Sequence, residues 1–111
     1  LIKIGVPHLV IILDSDILLD INNIGNIINN EIMDSPLNIN FVNKNNNKIR
    51  TYERGVNLET FACGTGCCAS MYVLNKKRIK FQVKSNEFIT TYLQEGKLYL
   101  EGTVKKIYKV N

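Results

Sequence analysis

The stretch that most restricts what this chain can become is "CCASMYVL", Cys67 to Leu74. Cys67, Cys68, Ala69, Met71, Val73 and Leu74 leave a helix almost no polar side, and no proline interrupts them. A helix that is apolar all round has no face to offer water, so the rest of the domain must enclose it. The sequence therefore predicts a fold built round one central helix. Gly64 and Gly66 stand just before it and predict the turn that opens it, with Cys63 immediately ahead.

Material to enclose the helix lies on both sides. "HLVIIL", His8 to Leu13, is a continuous β-branched run and predicts a strand buried on both faces. Asp14-Ser15-Asp16 ends it. Apolar residues at 17, 18, 21, 24, 27 and 28 then recur at helical spacing, predicting an amphipathic helix from Ile17 to Ile28, with Pro36 in the loop beyond. "NINFVNK" and "KIRTYER" alternate apolar and polar residues around Asn45-Asn46-Asn47, the pattern of a hairpin. "RIKFQVK", "EFITTYL" and "KLYLEGTVKKIYKV", with turns at Ser85-Asn86 and Glu95-Gly96, predict a meander of strands. The expected class is α+β: one domain over residues 1–111, a mixed or antiparallel sheet wrapped around a central helix.

Composition narrows the partners. The net charge is only +4, and the densest basic cluster, Lys76-Lys77-Arg78 with Lys80, has no aromatic-glycine strand pattern beside it. Solvated lysines and no nucleic-acid partner are expected. There is no charged leader followed by an apolar segment, and no apolar run of about 18 residues. The expectation is a soluble, cytoplasmic chain with no membrane partner. It opens on Leu1 rather than Met, as a fragment, a processed product or a trimmed piece would. Three cysteines cannot all pair with one another, and adjacent Cys67 and Cys68 would bridge only with strain, which suits a reducing compartment.

The cysteines raise the question of chemistry. Structural zinc wants about four thiolate or imidazole ligands from separated pairs, whereas the one histidine, His8, lies 55 residues before Cys63. No metal is expected. No lysine follows Gly66, so the glycines are not a phosphate-binding loop. At the mouth of a helix, unsatisfied N–H groups and the helix dipole lower a thiol's pKa and bind an anion such as a carboxylate. A thiol there can take a proton from the carbon bearing that carboxylate, and the same N–H groups stabilise the developing enediolate. The plainer alternative makes Cys63 a small buried hydrophobe, and Cys67 and Cys68 are read as core. Glu53-Arg54 is either a solvated strand end or a carboxylate and guanidinium for substrate, and His8 alone reads as structural.

"TYERGVNLETFACGTGCCAS", Thr51 to Ser70, closely resembles the C-terminal catalytic motif of the diaminopimelate epimerase family. "GVPHLVIILD" resembles its Gly-Asn-Pro-His strand, and "NINF" its Asn-x-Asn-Phe segment. The resemblance implies a cofactor-independent epimerase that interconverts LL- and meso-diaminopimelate, for lysine and peptidoglycan synthesis. It implies two similar α/β halves with the site between them, and two cysteines on opposite sides of the α-carbon, one taking a proton as the other delivers one. By resemblance Cys63 is the C-terminal-half cysteine, and Glu53 assists it and contacts the substrate ammonium. Arg54 and Asn38 hold the distal carboxylate. His8 sits by the partner cysteine, and the Gly64 and Thr65 N–H groups bind the reacting carboxylate.

The chain departs from that pattern in three places. Val6 stands where many members carry a substrate-binding Asn, and the loop between Gly55 and Glu59 is one residue longer than the commonest version. The N-terminal half, with its own Cys-Gly-Asn-Gly-type motif, is not in these 111 residues. The expectation is therefore half of an active site, inactive alone, whose partners are the amino-acid substrate and the N-terminal half of the same enzyme, with a homodimer left open. Two alternatives stand beside it: another racemase of the same fold, and a non-catalytic half-domain that binds a metabolite or a protein.

Overall fold

The computed structural model describes residues 2–4, 6–33, 36–60, 64–102 and 107–110, of which 2–4, 6 and 107–110 are described by backbone alone. The chain runs β1 (Ile2–Ile4), β2 (Val6–Leu13), α1 (Ile21–Ile27) extended by a π-helical turn (Ile28–Ile32), β3 (Asn38–Asn43), β4 (Lys48–Glu53) and β5 (Leu58–Thr60). It continues with α2 (Gly64–Val73), β6 (Arg78–Gln82), β7 (Phe88–Gln94), β8 (Lys97–Gly102) and β9 (Ile107–Val110).

The strands form one sheet in the order β1-β2-β3-β4-β6-β7-β8-β9, with β5 added to β4. β2 runs parallel to β3, and β4 to β6; the remaining pairs are antiparallel. β4 and β6 meet at one register pair, Lys48↔Gln82, supported by the Gln82 N–H donating to the Asn47 carbonyl at 3.0 Å. That narrow junction lets the two wings curl toward each other. α2 lies between them, touching β1, β2 and β3 on one side and β6, β7 and β8 on the other. Gly66 through Met71 are buried, as an all-round apolar helix requires. The α+β class and the sheet wrapped round a central helix are as the sequence predicts.

Side-chain alternation sorts the sheet into two faces. Val10, Ile12, Val42 and Ile49 pack on the α2 side with Cys67, Met71, Ile79 and Phe81. Leu9, Ile11, Ile39, Phe41 and Tyr52 pack on the other side with Ile21, Ile24 and Leu37. α1 approaches so closely that a Cβ on Gly25 would fall 2.3 Å from Tyr52 Cγ.

Several expectations change. The helix starts at Ile21, not Ile17, because the Asp20 side chain accepts from the Asn23 N–H at 3.2 Å and so caps it. Leu18, counted toward its apolar stripe, is 88% exposed. Leu9 to Leu13 are half-buried rather than sealed, although both faces carry core contacts. β3 is buried at all six positions despite its alternating sequence, because α1 and α2 cover opposite faces. Gly64 and Gly66 belong to the first turn of α2 instead of a turn before it. β5 was not anticipated; it returns along β4 after a turn in which Gly55 takes φ +85°, a conformation glycine adopts without strain. The hairpin between β3 and β4 and the meander from β6 to β9 match the sequence pattern.

Candidate functional site

On the three strands next to the mouth of α2, the positions facing the helix carry polar groups where the rest of that face is aliphatic. His8 on β2 is fully buried and sits in register with Asn38 on β3. Asn40, also fully buried, is in register with Thr51 on β4. Glu53 follows Thr51 by two residues, hence on the same face, and is half-buried at the end of the strand.

Hydrogen bonds tie these positions to α2. His8 Nε2 lies 3.1 Å from Thr65 Oγ, in the first turn of the helix. His8 Nδ1 lies 3.1 Å from Asn40 Nδ2, which also donates to the Leu9 carbonyl at 3.3 Å. The Thr51 hydroxyl donates to Asn40 Oδ1 at 2.9 Å. The Asn38 side chain accepts from the Arg54 backbone N–H at 2.8 Å, and Arg54 Nη1 donates to the Pro36 carbonyl at 3.4 Å.

The loop that delivers Asn38 is itself clamped. Asn29, buried on the π-helical turn, donates to the Leu37 carbonyl at 2.9 Å and accepts from the Leu37 N–H at 3.0 Å. It supplies both partners a neighbouring strand would give, which leaves Leu37 satisfied and fixes where β3 begins.

Two hydrogen-bonded sets, Thr65–His8–Asn40–Thr51 and Asn38 with the Arg54 backbone, thus lie side by side through the His8↔Asn38 register, with Gly64 beside Thr65 and Glu53 beside Arg54 in the sequence. Cys63, next to Gly64 in the sequence, lies outside the described residues, and the side chain of Val6 is likewise not described. A Cβ on Gly64 would meet Leu100 Cδ2 at 2.6 Å, so the first turn of α2 sits tightly against β8. Cys67 and Cys68 are buried within α2, as core residues. Chemically, the group offers amide N–H groups at a helix start for an anion, an arginine at the rim, a carboxylate beside it and an imidazole behind. Among the described residues, no cluster of His, Cys, Asp and Glu could hold a metal, and no helix is long and apolar enough to cross a membrane.

Sequence reasoning passed over Asn40 and Thr51. The signal was present: asparagine is disfavoured in strands, and two of them, Asn38 and Asn40, lie on one face of β3. Alternation marks a polar face without saying what covers it, and here α2 covers it.

Charge also accumulates away from this group. Arg50 Nε and Nη2 donate to the two Glu59 oxygens at 2.6 and 2.7 Å, and Lys84 Nζ lies 3.6 Å from the same carboxylate. Burial pushes the Glu59 carboxyl up, but the hydrogen bonds from Arg50 and the charges of Arg50 and Lys84 prevail and hold it below its ordinary value. A cavity of about 450 Å³, lined by Ile17, Lys48, Arg50, Val83 and Lys84 among others, opens there at the end of β4 opposite Glu53. This cavity is not where the candidate residues converge, and the site is placed by its chemistry.

No family model matches the chain. Among curated proteins, the diaminopimelate epimerase of Hydrogenobaculum sp. (strain Y04AAS1) is 38% identical over 97% of this chain and 44% of its own length. That of Campylobacter jejuni subsp. jejuni (strain 81-176) is 44% identical over 67% of the chain and 33% of its own length. That of Aquifex aeolicus (strain VF5) is 33% identical over 97% of the chain and 43% of its own length. The chain thus spans less than half the length of these relatives.

Proposed function

Because this chain is a partial-length member of the diaminopimelate epimerase family, we propose that it forms one half of an epimerase site acting at the α-carbon of diaminopimelate. The observation that carries this reading is the convergence of His8, Asn38, Arg54 and Thr65 at the start of the central helix, immediately after Cys63 in the chain. A site of this kind needs a base, an anion-stabilising cradle and a clamp for the rest of the substrate. The residues present divide into those tasks.

The Gly64 and Thr65 N–H groups, in the first turn of α2, hold the reacting carboxylate and stabilise the charge that forms on it as the α-proton leaves. Cys63 exchanges that proton as thiolate or thiol, its ionised form favoured by the same helix terminus. A second cysteine, from an N-terminal half, works on the opposite side of the carbon. Glu53 assists Cys63 and faces the substrate ammonium, and His8 stands by the second cysteine. Arg54 and Asn38 take the distal carboxylate, Arg54 through paired N–H donors. No cofactor is invoked. An amino-acid α-proton is weakly acidic, so this chemistry depends on base, electrostatics and exclusion of water acting together.

Incubating the protein, joined by its N-terminal half, with LL-diaminopimelate in D2O tests the reading. Deuterium at the α-carbon and conversion to the meso form are expected, and Cys63→Ala should abolish both. A folded, reduced protein that exchanges no deuterium would defeat the epimerase reading, and full exchange by Cys63→Ala would defeat the role of Cys63.

A further inference from the structure

The contacts behind His8 fix its protonation as well as its position. The Leu9 carbonyl can only accept, so the Asn40 atom 3.3 Å away is the amide nitrogen. The Thr51 hydroxyl on the other side, 2.9 Å from Oδ1, agrees with that orientation by donating. The second amide hydrogen is then directed at His8 Nδ1, at 3.1 Å. An amide NH2 has no acceptor capacity, so Nδ1 must present a lone pair. An imidazole with Nδ1 bare carries its hydrogen on Nε2, which lies 3.1 Å from Thr65 Oγ.

We infer that Asn40 is a positioning residue that holds His8 as the neutral tautomer protonated at Nε2, making the imidazole a hydrogen-bond donor at the mouth of α2. Thr65 Oγ accepts that hydrogen, so the relay runs from Thr51 through Asn40 and His8 to the start of the helix. The functional consequence rests on the reading of the site proposed above: the Thr65 hydroxyl held by His8 steadies an anion, such as a thiolate, by donating to it, and His8 does not take up that anion's proton. The burial of His8 and Asn40 excludes the water that could otherwise accept a hydrogen from Nδ1 and favour the other tautomer.

The test is long-range ¹H–¹⁵N NMR of the ¹⁵N-labelled chain. His8 is its single histidine, so one imidazole spin system is observed, and its loss in His8→Gln confirms it. The expected result, at a pH where the ring is neutral, is a protonated Nε2 and a bare Nδ1. A ring protonated at Nδ1, or one averaging equally between tautomers, overturns the inference from the wild-type spectrum alone. Asn40→Asp, which replaces the amide donor by an acceptor, should place a hydrogen on Nδ1, in the neutral ring or in the imidazolium that the carboxylate favours; a folded variant whose Nδ1 stays bare also overturns it. Because the tautomer is read without substrate, its failure and the failure of the epimerase reading are separate outcomes.

Discussion

Glu59 carries the clearest single-residue consequence outside the site. Its side chain is only 5% exposed and engages Arg50 through two short hydrogen bonds. Its pKa is lowered from 4.5 on folding, so the folded state favours the ionised form. That stabilisation is present above the ordinary carboxylate pKa and is lost as pH falls through the lower folded value. Glu59→Gln should cost about 1–3 kcal/mol at neutral pH, and the deficit should shrink as both proteins are acidified. Urea denaturation of the pair across pH 2 to 7 checks it, and a deficit constant with pH would contradict the assignment. Within the site, Arg54→Lys keeps the charge and loses the fork that suits a carboxylate. Steady-state kinetics of the reconstituted enzyme should show KM raised roughly tenfold or more, with kcat less affected, if a distal carboxylate is what Arg54 holds.

Individual elements stand or fall on a few close contacts. Gly25 lets α1 lie on the Tyr52 ring; Gly25→Ala would insert a methyl group within 2.3 Å of it. Despite alanine's better helix propensity, a loss of about 1–3 kcal/mol is expected by thermal or denaturant unfolding, and a stabilised variant would show that α1 does not pack as described. Asn29→Ala strips Leu37 of both backbone partners and should cost about 1–3 kcal/mol. It should also raise KM, since Asn38 follows Leu37 directly. These contacts separate what the sequence makes legible from what it hides. α2 was legible because an apolar helix has one possible location, and the β3–β4 hairpin because the Asn tract interrupts two alternating runs. The start of α1 was not: Ile17 and Leu18 continue the helical spacing, but the Asp20 cap overrides it. The Gly-Thr-Gly segment was misplaced by one turn, because isolated glycines signal a turn while Gly64 and Gly66 lie inside the helix packed against β8. The burial of Asn38 and Asn40 was hidden because a polar face under a helix and one under water have the same period.

At the scale of the whole molecule, the curled sheet gathers its polar face at one end of α2, and that gathering gives the chain a candidate active-site half. The matched relatives are more than twice as long as the portion this chain covers. The motif resemblance suggested the chemistry proposed for the chain, which charge and composition left open. Geometry then added Asn40, Thr51 and Asn29 as the scaffold behind the candidate residues. The central claim is that the chain contributes one of two thiols and is inert without the other. Its most direct test measures α-deuterium incorporation into LL-diaminopimelate in D2O by the chain alone and after addition of an N-terminal half bearing the second cysteine. The account predicts no incorporation by the chain alone, incorporation by the pair, and none by the pair when Cys63 is replaced by Ala. Exchange by the chain alone, or by the pair carrying Cys63→Ala, would contradict it.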